Sequence, residues 1–328
     1  EVHQMLKTLK LAKINNVIME VSSHALELHR VENVDIDIAI FTNLTPEHLD
    51  FHGNMENYFN SKLKLFTNLD KSKTAIINID DSYSKRICNA SSCKILTYGM
   101  NSKADIYTTE FRTSINGIRA MLKYKSKLIK INSKLIGIHN MYNILAACAA
   151  GLTIGIDSKK IEKALQDLPA IPGRLEQIFT NLPGTIFIDY AHTPDAFEKV
   201  FTTINNLKAD RRIITIFGCG GNRDSNKRKD MARISEQYSD YIYITTDNPR
   251  TESINEINKH IVQGFKNSNY NIINDRKDAI QNALKNMDEK TILLILGKGR
   301  ENYQEIGTEK VPHDDIRIIK DLQNESKN

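Results

Sequence analysis

Several classes are excluded by what this chain has little of. Only four of its 328 residues are cysteine, Cys88, Cys93, Cys148 and Cys219, and none forms a C-x-x-C pair. A disulfide framework is therefore not expected, and a reducing compartment is. No apolar run approaches the roughly 18 residues of a membrane span. Charge of one sign is also lacking: 45 Lys and Arg against 40 Asp and Glu leave +5. That is too mild for a nucleic-acid partner, though it suits a small anionic substrate. There is no internal repeat, and low complexity is confined to a polar tail at 324–328. With 40% hydrophobic and 26% charged residues the chain reads as globular, and at roughly 100–200 residues per domain it holds two domains. It opens Glu1-Val2-His3-Gln4-Met5, without initiator methionine, basic region or apolar leader. Val2, Met5, Leu6 and Leu9 have helical spacing, so the expectation is a segment of something longer that begins in or beside a helix.

Short apolar runs alternate with amphipathic stretches. Buried strands are expected at 17–21, 38–42, 74–79 and 94–98, with a helical pattern at 57–66. After Ala104 the pattern becomes period two, with Asn116-Gly117 as a hairpin turn. An Ala-rich helix runs from about Asn140 to Leu152 and closes near Gly155. The string Leu168-Pro169-Ala170-Ile171-Pro172-Gly173-Arg174 is the best boundary and divides the chain into domains 1–172 and 173–328. Strands then return at 185–190, 212–217, 241–245 and 291–296, and a last helix starts near Asp314. This alternation predicts an α/β fold with mostly parallel sheets covered on both faces.

Ligands of open parallel sheets bind at the carboxyl ends of strands, and polar clusters follow these runs. Ser22-Ser23-His24 comes after the first, with Glu20 inside it, where a carboxylate is costly unless paired or bound to a cation. Asn43-Leu44-Thr45-Pro46-Glu47-His48-Leu49-Asp50-Phe51-His52-Gly53 comes after the second. An ordinary ion pair with surface histidines explains these as well as a metal does. His48 and His52 at i, i+4 allow zinc, but no H-E-x-x-H glutamate lies between them. The glycine-rich turn Gly218-Cys219-Gly220-Gly221-Asn222-Arg223-Asp224 lets backbone N–H groups approach an anion, with Lys227, Arg228 and Lys229 nearby. Asp247-Asn248-Pro249-Arg250 and Gly297-Lys298-Gly299-Arg300-Glu301 follow two further strands. Each string alone reads equally as a turn, but together they point to a nucleotide or peptide-like substrate.

The run Glu20-Val21-Ser22-Ser23-His24-Ala25-Leu26, the string from Phe41 to Gly53, Asp189-Tyr190-Ala191-His192-Thr193-Pro194-Asp195, and the strings at 218–224, 247–250 and 297–301 resemble the Mur ligases of peptidoglycan synthesis. Within that family they look like the branch that adds diaminopimelate. The resemblance covers nearly the whole chain in order. It implies a central ATPase domain with a small antiparallel part, followed by a Rossmann-like C-terminal domain. It implies an ATP- and Mg²⁺-dependent ligase, monomeric and cytoplasmic, joining meso-diaminopimelate to UDP-N-acetylmuramoyl-L-alanyl-D-glutamate. By the same resemblance Glu20 and His48 are metal ligands, and Lys62, in Ser61-Lys62-Leu63, is the lysine carbamoylated by CO₂; Lys64 is out of register. Asn140, Asn143, Arg174 and Asp189 correspond to ATP-binding positions, although helix capping also explains the two asparagines. Ser22 and Arg30 correspond to the muramoyl-dipeptide site. Arg223, Asp247, Asn248, Pro249, Arg250, Gly297 and Glu301 correspond to the diaminopimelate site, where an arginine clasps the distal carboxylate that L-lysine lacks.

The chain departs from the family pattern at Leu28 (a polar position in some members), Glu47 (usually Asp) and Arg300 (usually His). No G-x-x-x-x-G-K-[ST] string occurs in these residues. The chain as it stands is therefore expected to show little or no ligase turnover, since phosphate positioning carries such transfers. Weak diaminopimelate binding by the C-terminal domain is expected to survive. The alternatives are an L-lysine-adding ligase of the same family, a folylpolyglutamate synthetase-like ligase and a zinc hydrolase on His48 and His52.

Overall fold

The computed structural model describes residues 2–46 and 48–325. The chain divides into two compact units, one of residues 1–112, 118–133 and 138–167, the other of 113–117, 134–137 and 168–328.

The first unit opens with helices α1 (Val2–Leu11) and α2 (Ser23–Glu27), then strand β1 (Ile38–Phe41). Helices α3 (Leu49–His52) and α4 (Met55–Thr67) lead to β2 (Thr74–Asn78), α5 (Ser84–Ala90) and β3 (Lys94–Gly99). Strands β4 (Ile106–Ser114), β5 (Gly117–Tyr124) and β6 (Lys127–Ser133) follow, and then helices α6 (Ile138–Thr153) and α7 (Ser158–Asp167). The six strands form one sheet in sequence order. β1 to β4 pair in parallel and β5 with β6 antiparallel. The period-two pattern marks the antiparallel part correctly, because a half-buried strand must alternate. Ala39, Phe41, Ala75 and Ile77 bury one face of the sheet against Phe59 and Phe66 of α4 and Ile87 of α5.

Residues 17–21, expected as a buried strand, form none. The segment between α1 and α2 is irregular, and Ile18 is 99% exposed. Hydrophobicity supplies only the pattern of a strand; its N–H and C=O groups need a ladder, and among the described residues β1 pairs with β2 alone on that side of the sheet. Glu20 is consequently exposed and carries no burial cost. Residue 1, expected in or beside a helix, and Glu47 lie outside the described residues.

The second unit contains β7 (Glu176–Ile178), β8 (Thr185–Asp189), α8 (Pro194–Leu207), β9 (Arg212–Phe217) and α9 (Asn226–Tyr238). β10 (Tyr241–Ile244), α10 (Ile254–Val262), β11 (Tyr270–Ile272) and α11 (Arg276–Lys285) come next. It closes with β12 (Thr291–Leu296), the hairpin β13 (Tyr303–Ile306) and β14 (Glu309–Pro312), and α12 (Asp315–Glu325). The main sheet has the order β11-β10-β9-β12-β8-β7, parallel except for the edge strand β7. Strand periodicity sends alternate residues to opposite cores. From β12, Ile292, Leu294 and Leu296 pack with Phe197 of α8, Met231 of α9 and Ile261 of α10, whereas Leu293 and Ile295 pack with Ile280 of α11 and Ile319 of α12. Burial on both faces explains why these strands read as unbroken apolar runs. The insertion of β12 between β8 and β9 gathers the loops after β8, β9, β10 and β12 at one sheet edge.

Candidate functional site

In the first unit the polar clusters meet where α2 approaches α4. Ser22 caps α2, its Oγ accepting from the Ala25 N–H at 3.1 Å. Ser23 is buried, and its Oγ lies 2.9 Å from Nε2 of His52. The Ser61 hydroxyl donates to Glu27 at 2.6 Å and Lys64 Nζ donates to the same oxygen at 2.7 Å. These two donors, Lys64 first, hold Glu27 below its ordinary range. Burial, reinforced by His24, holds His52 low and favours its neutral form. A groove of about 340 Å³ runs beside this network, past Phe51, Asn57 and Asn60.

His48 has left-handed backbone at the start of α3, and its ring meets that of His24 edge-on at 4.8 Å. The rings of His48 and Tyr58 are 6.1 Å apart, and Lys62 Nζ is 5.3 Å from the Tyr58 ring. His48 and Lys62 therefore border one aromatic ring. Glu20 is not drawn into that group, and no cluster of three His, Cys, Asp or Glu suited to a metal occurs among the described residues. Lys64, set aside on register, is engaged by Glu27. Arg30 and Leu28 are exposed at the end of α2. Asn140 and Asn143 lie inside α6 rather than at its cap, joined by an Nδ2 to Oδ1 bond of 3.1 Å.

The second unit builds a denser site. Asp189, at the end of β8, accepts from the N–H groups of Leu175 at 2.6 Å and Ala191 at 2.7 Å, and burial pushes it up. Arg174 lies in the turn just before Leu175, its guanidinium 6.0 Å from the Tyr190 ring. Arg300, where the family pattern has histidine, makes a two-point contact with Glu176 of β7, its Nε at 2.8 Å, while Glu176 also accepts from Gly173 N–H at 2.8 Å. Burial raises Glu176, but those bonds outweigh it and hold it low. The departure at Arg300 thus fastens the turn that carries Arg174.

The glycine-rich loop after β9 lies against the turn after β10. A Cβ on Gly221 would sit 1.9 Å from the Pro249 carbonyl oxygen, so only glycine permits this approach. Arg228, fully buried, grips Glu252 through two bonds of 2.6 and 2.8 Å and reaches Gly220 O at 3.1 Å. Glu252 also accepts from Asn222 N–H and is held down at about 2, Arg228 being the main cause. Arg223, on this loop, is exposed.

Beside the loop, Asp247 is buried against Gly297, whose φ is +108°. Burial pushes Asp247 up, while Arg276 and Lys298 pull the other way. Asn248 Nδ2 donates to Glu301 at 3.0 Å, and Lys298 Nζ bridges Asn248 Oδ1 at 3.0 Å and Glu301 at 2.9 Å. Burial raises Glu301, but Lys298 and Asn248 outweigh it and keep it below its usual range. Arg250 adopts φ +51°, with Nε 2.8 Å from Glu305 and Nη1 donating to Gly221 O at 2.9 Å. Among the described residues no bond reaches its Nη2. Asp247, Asn248, Arg250, Gly297 and Glu301, nominated from two distant strings, thus come together in one bonded cluster. The sequence names Arg228 only as part of a basic run and gives no role to Lys298, Arg276 or Glu252. Lys298 and Glu252 lie in or beside a nominated string, whereas Arg276 lies near none.

A model of the Mur ligase middle domain matches residues 1–151, and one of the Mur ligase glutamate ligase domain matches residues 173–299. A UDP-N-acetylmuramoyl-L-alanyl-D-glutamate–2,6-diaminopimelate ligase of Fusobacterium nucleatum is 44% identical over 318 residues, covering 96% of this chain and 64% of that protein. The enzyme of the same name from Syntrophomonas wolfei is 39% identical over 327 residues, covering 98% of this chain and 67% of its own length. The chain thus spans about two thirds of these relatives. A solved structure of a ligase of that name superposes with TM-score 0.69 at 32% identity, over 94% of this chain and 64% of the other. A Mycobacterium tuberculosis folylpolyglutamate synthase superposes at 0.63 with 18% identity, which shows the shared fold alone. From the two domain matches and this level of identity, the chain belongs to the Mur ligase family.

Proposed function

We propose that this chain carries the nucleotide-side and amino-acid-side domains of an ATP-dependent ligase that adds meso-diaminopimelate to UDP-N-acetylmuramoyl-L-alanyl-D-glutamate, in the cytoplasm and as a monomer. The observation that carries this reading is one linked group of side chains: Arg250 pairs with Glu305, whose N–H donates to Asn248, which in turn donates to Glu301, while Asp247 lies buried against Gly297. The distal end of meso-diaminopimelate bears a carboxylate and an ammonium group, and this cluster offers a partner for each. Arg250 is braced by Glu305 and Gly221, so its remaining N–H groups are held in place for the carboxylate. Asn248 and the close approach allowed by Gly297 set the opposite wall.

In the proposed reaction, an oxygen of the D-glutamate side-chain carboxylate displaces ADP from the γ-phosphorus of ATP. The neutral amine of diaminopimelate then attacks the acyl phosphate, phosphate leaves, and the nitrogen loses a proton. Arg174, Asp189, Asn140 and Asn143 are proposed for ATP, Ser22 and Arg30 for the muramoyl dipeptide, and Arg223 and Pro249 for the rim of the amino-acid pocket. Mg²⁺ is the proposed counter-ion of the phosphates, with Glu20, His48 and carbamoylated Lys62 as its protein ligands. These do not form a ready three-donor cluster, but Mg²⁺ arriving on a nucleotide needs only one or two protein oxygens.

Calorimetric titration of the chain with meso-diaminopimelate and with L-lysine tests the amino-acid side directly. Loss of a charge-assisted bond is worth about 1.5–3 kcal/mol, so meso-diaminopimelate is expected to bind at least about tenfold more tightly. Equal affinities would rule out the role given to Arg250.

A further inference from the structure

The resemblance leaves Lys298 without a role, and its side chain is 1% exposed. Burying an ammonium is costly unless its protons are used. Its Nζ donates to Asn248 Oδ1 at 3.0 Å and Glu301 Oε2 at 2.9 Å, and lies 5.7 Å from the Tyr303 ring. Asn248 Oδ1 also accepts from the Glu305 N–H at 2.9 Å. With its oxygen held between two donors, the amide must turn its nitrogen toward Glu301 Oε2. That oxygen is then filled by Lys298 and Asn248, while among the described residues Oε1 receives only a 3.4 Å contact from the Tyr190 hydroxyl. Arg276, the other buried cation, is committed to Asp315 through bonds of 2.9 and 2.8 Å. Lys298 is therefore bonded to Glu301, and the buried Asp247 feels it only as a second charge after Arg276.

We infer that Lys298 is a positioning residue: it locks the Asn248 amide and fills one oxygen of Glu301, so that the other oxygen and the Asp247 carboxylate form an acceptor for a single ammonium group. A lysine suits this place because it is a compact charge with three donors, whereas a guanidinium would demand a planar partner. The ligand class deepens the reading given above and rests on it; the orientation of Asn248 and Glu301 does not.

The test uses Lys298→Met in the full chain. Glu301 is faced by Lys298 from its own loop, Asn248 and Asp247 from the β10 turn, Arg276 from α11 and Tyr190 from the β8 loop. With the lysine charge gone and Asp247 remaining, Glu301 is expected to titrate at higher pH in carboxyl-labelled NMR spectra, and the Asn248 side-chain amide signals to lose their fixed position. Meso-diaminopimelate affinity is expected to fall about tenfold or more near neutral pH and to recover partly as pH rises, because a proton shared by the two carboxylates competes with the ammonium. Unchanged Glu301 titration and amide signals overturn the inference, even if binding weakens. If the wild-type chain binds no diaminopimelate, the ligand reading fails while the NMR result still decides the role of Lys298. Should Lys298→Met not fold, Lys298→Met with Glu301→Gln removes charge and countercharge together. In that pair the Asn248 side-chain amide signals should lose the fixed position they keep in Glu301→Gln alone, and unchanged amide signals would contradict the inference.

Discussion

Asp315→Asn is expected to lower the stability of the second unit by about 3–5 kcal/mol, the usual cost of breaking a buried ion pair from one side. Arg276 is fully buried and Asp315 is 1% exposed, and the two share a two-point contact. Arg276 Nη2 also donates to Leu296 O at 3.1 Å, and its Nη1 has no partner among the described residues. An asparagine would leave the buried guanidinium charged with no carboxylate bonded to it. Burial raises Asp315, but Arg276 and then His313 outweigh it and hold it well below its ordinary value in the folded state. The sign follows: the stabilisation is complete above the unfolded carboxylate pKa and is lost as pH falls through the depressed folded value. Wild-type protein should therefore lose stability in acid through this group, and the variant should lack that component. Thermal melts across acid and neutral pH measure both, with a fall of roughly 10 °C expected for a unit of this size. A change of under about 1 kcal/mol would contradict the assignment. The variant also frees Arg276 to turn toward Asp247, so weaker diaminopimelate binding should accompany the lost stability.

Gly297→Ala is expected to weaken diaminopimelate binding by about a hundredfold, or about 2.7 kcal/mol. Two effects coincide at this residue. Its φ of +108° is one that L side chains rarely adopt, and a Cβ there would lie 2.4 Å from Asp247 Oδ2. The backbone strain costs about 1–2 kcal/mol. The contact adds more, because Asp247 is buried and can move only out of its place in the pocket. Calorimetry with meso-diaminopimelate, alongside melting curves, separates the two contributions. Binding at the wild-type level would show that Asp247 is not an acceptor for the ligand.

The strand and helix order of the second unit is legible in the sequence because β9, β10 and β12 are buried on both faces and bounded by glycine-, proline- and asparagine-rich turns. The same signal misleads at 17–21, where an apolar run finds no ladder and Ile18 stands in solvent. Hydrophobic period registers the wish to be buried but not the presence of a pairing partner. The β13–β14 hairpin, half-exposed and polar, offers too little apolar contrast to be read, yet Glu305 on it braces Arg250 and fixes Asn248. The terminal groups of the amino-acid pocket are readable as strings after strands. Their supports are not: Lys298, Arg276 and Arg228 look like surface charges in sequence, and only the fold shows them buried. Arg300 reads as a lapse from the pattern until Glu176, 124 positions away, supplies its partner.

Arg250, Asp247 and Glu301 are proposed to read the two charged groups at one end of meso-diaminopimelate. A crystal structure of this chain grown with meso-diaminopimelate tests this most directly. The ligand's distal carboxylate is expected against the Arg250 guanidinium and the neighbouring ammonium between Asp247 and Glu301 Oε1, with Asn248 and Lys298 unmoved. Density for the ligand elsewhere, or its carboxylate on Lys298 with Arg250 still bonded only to Glu305 and Gly221, would contradict this reading.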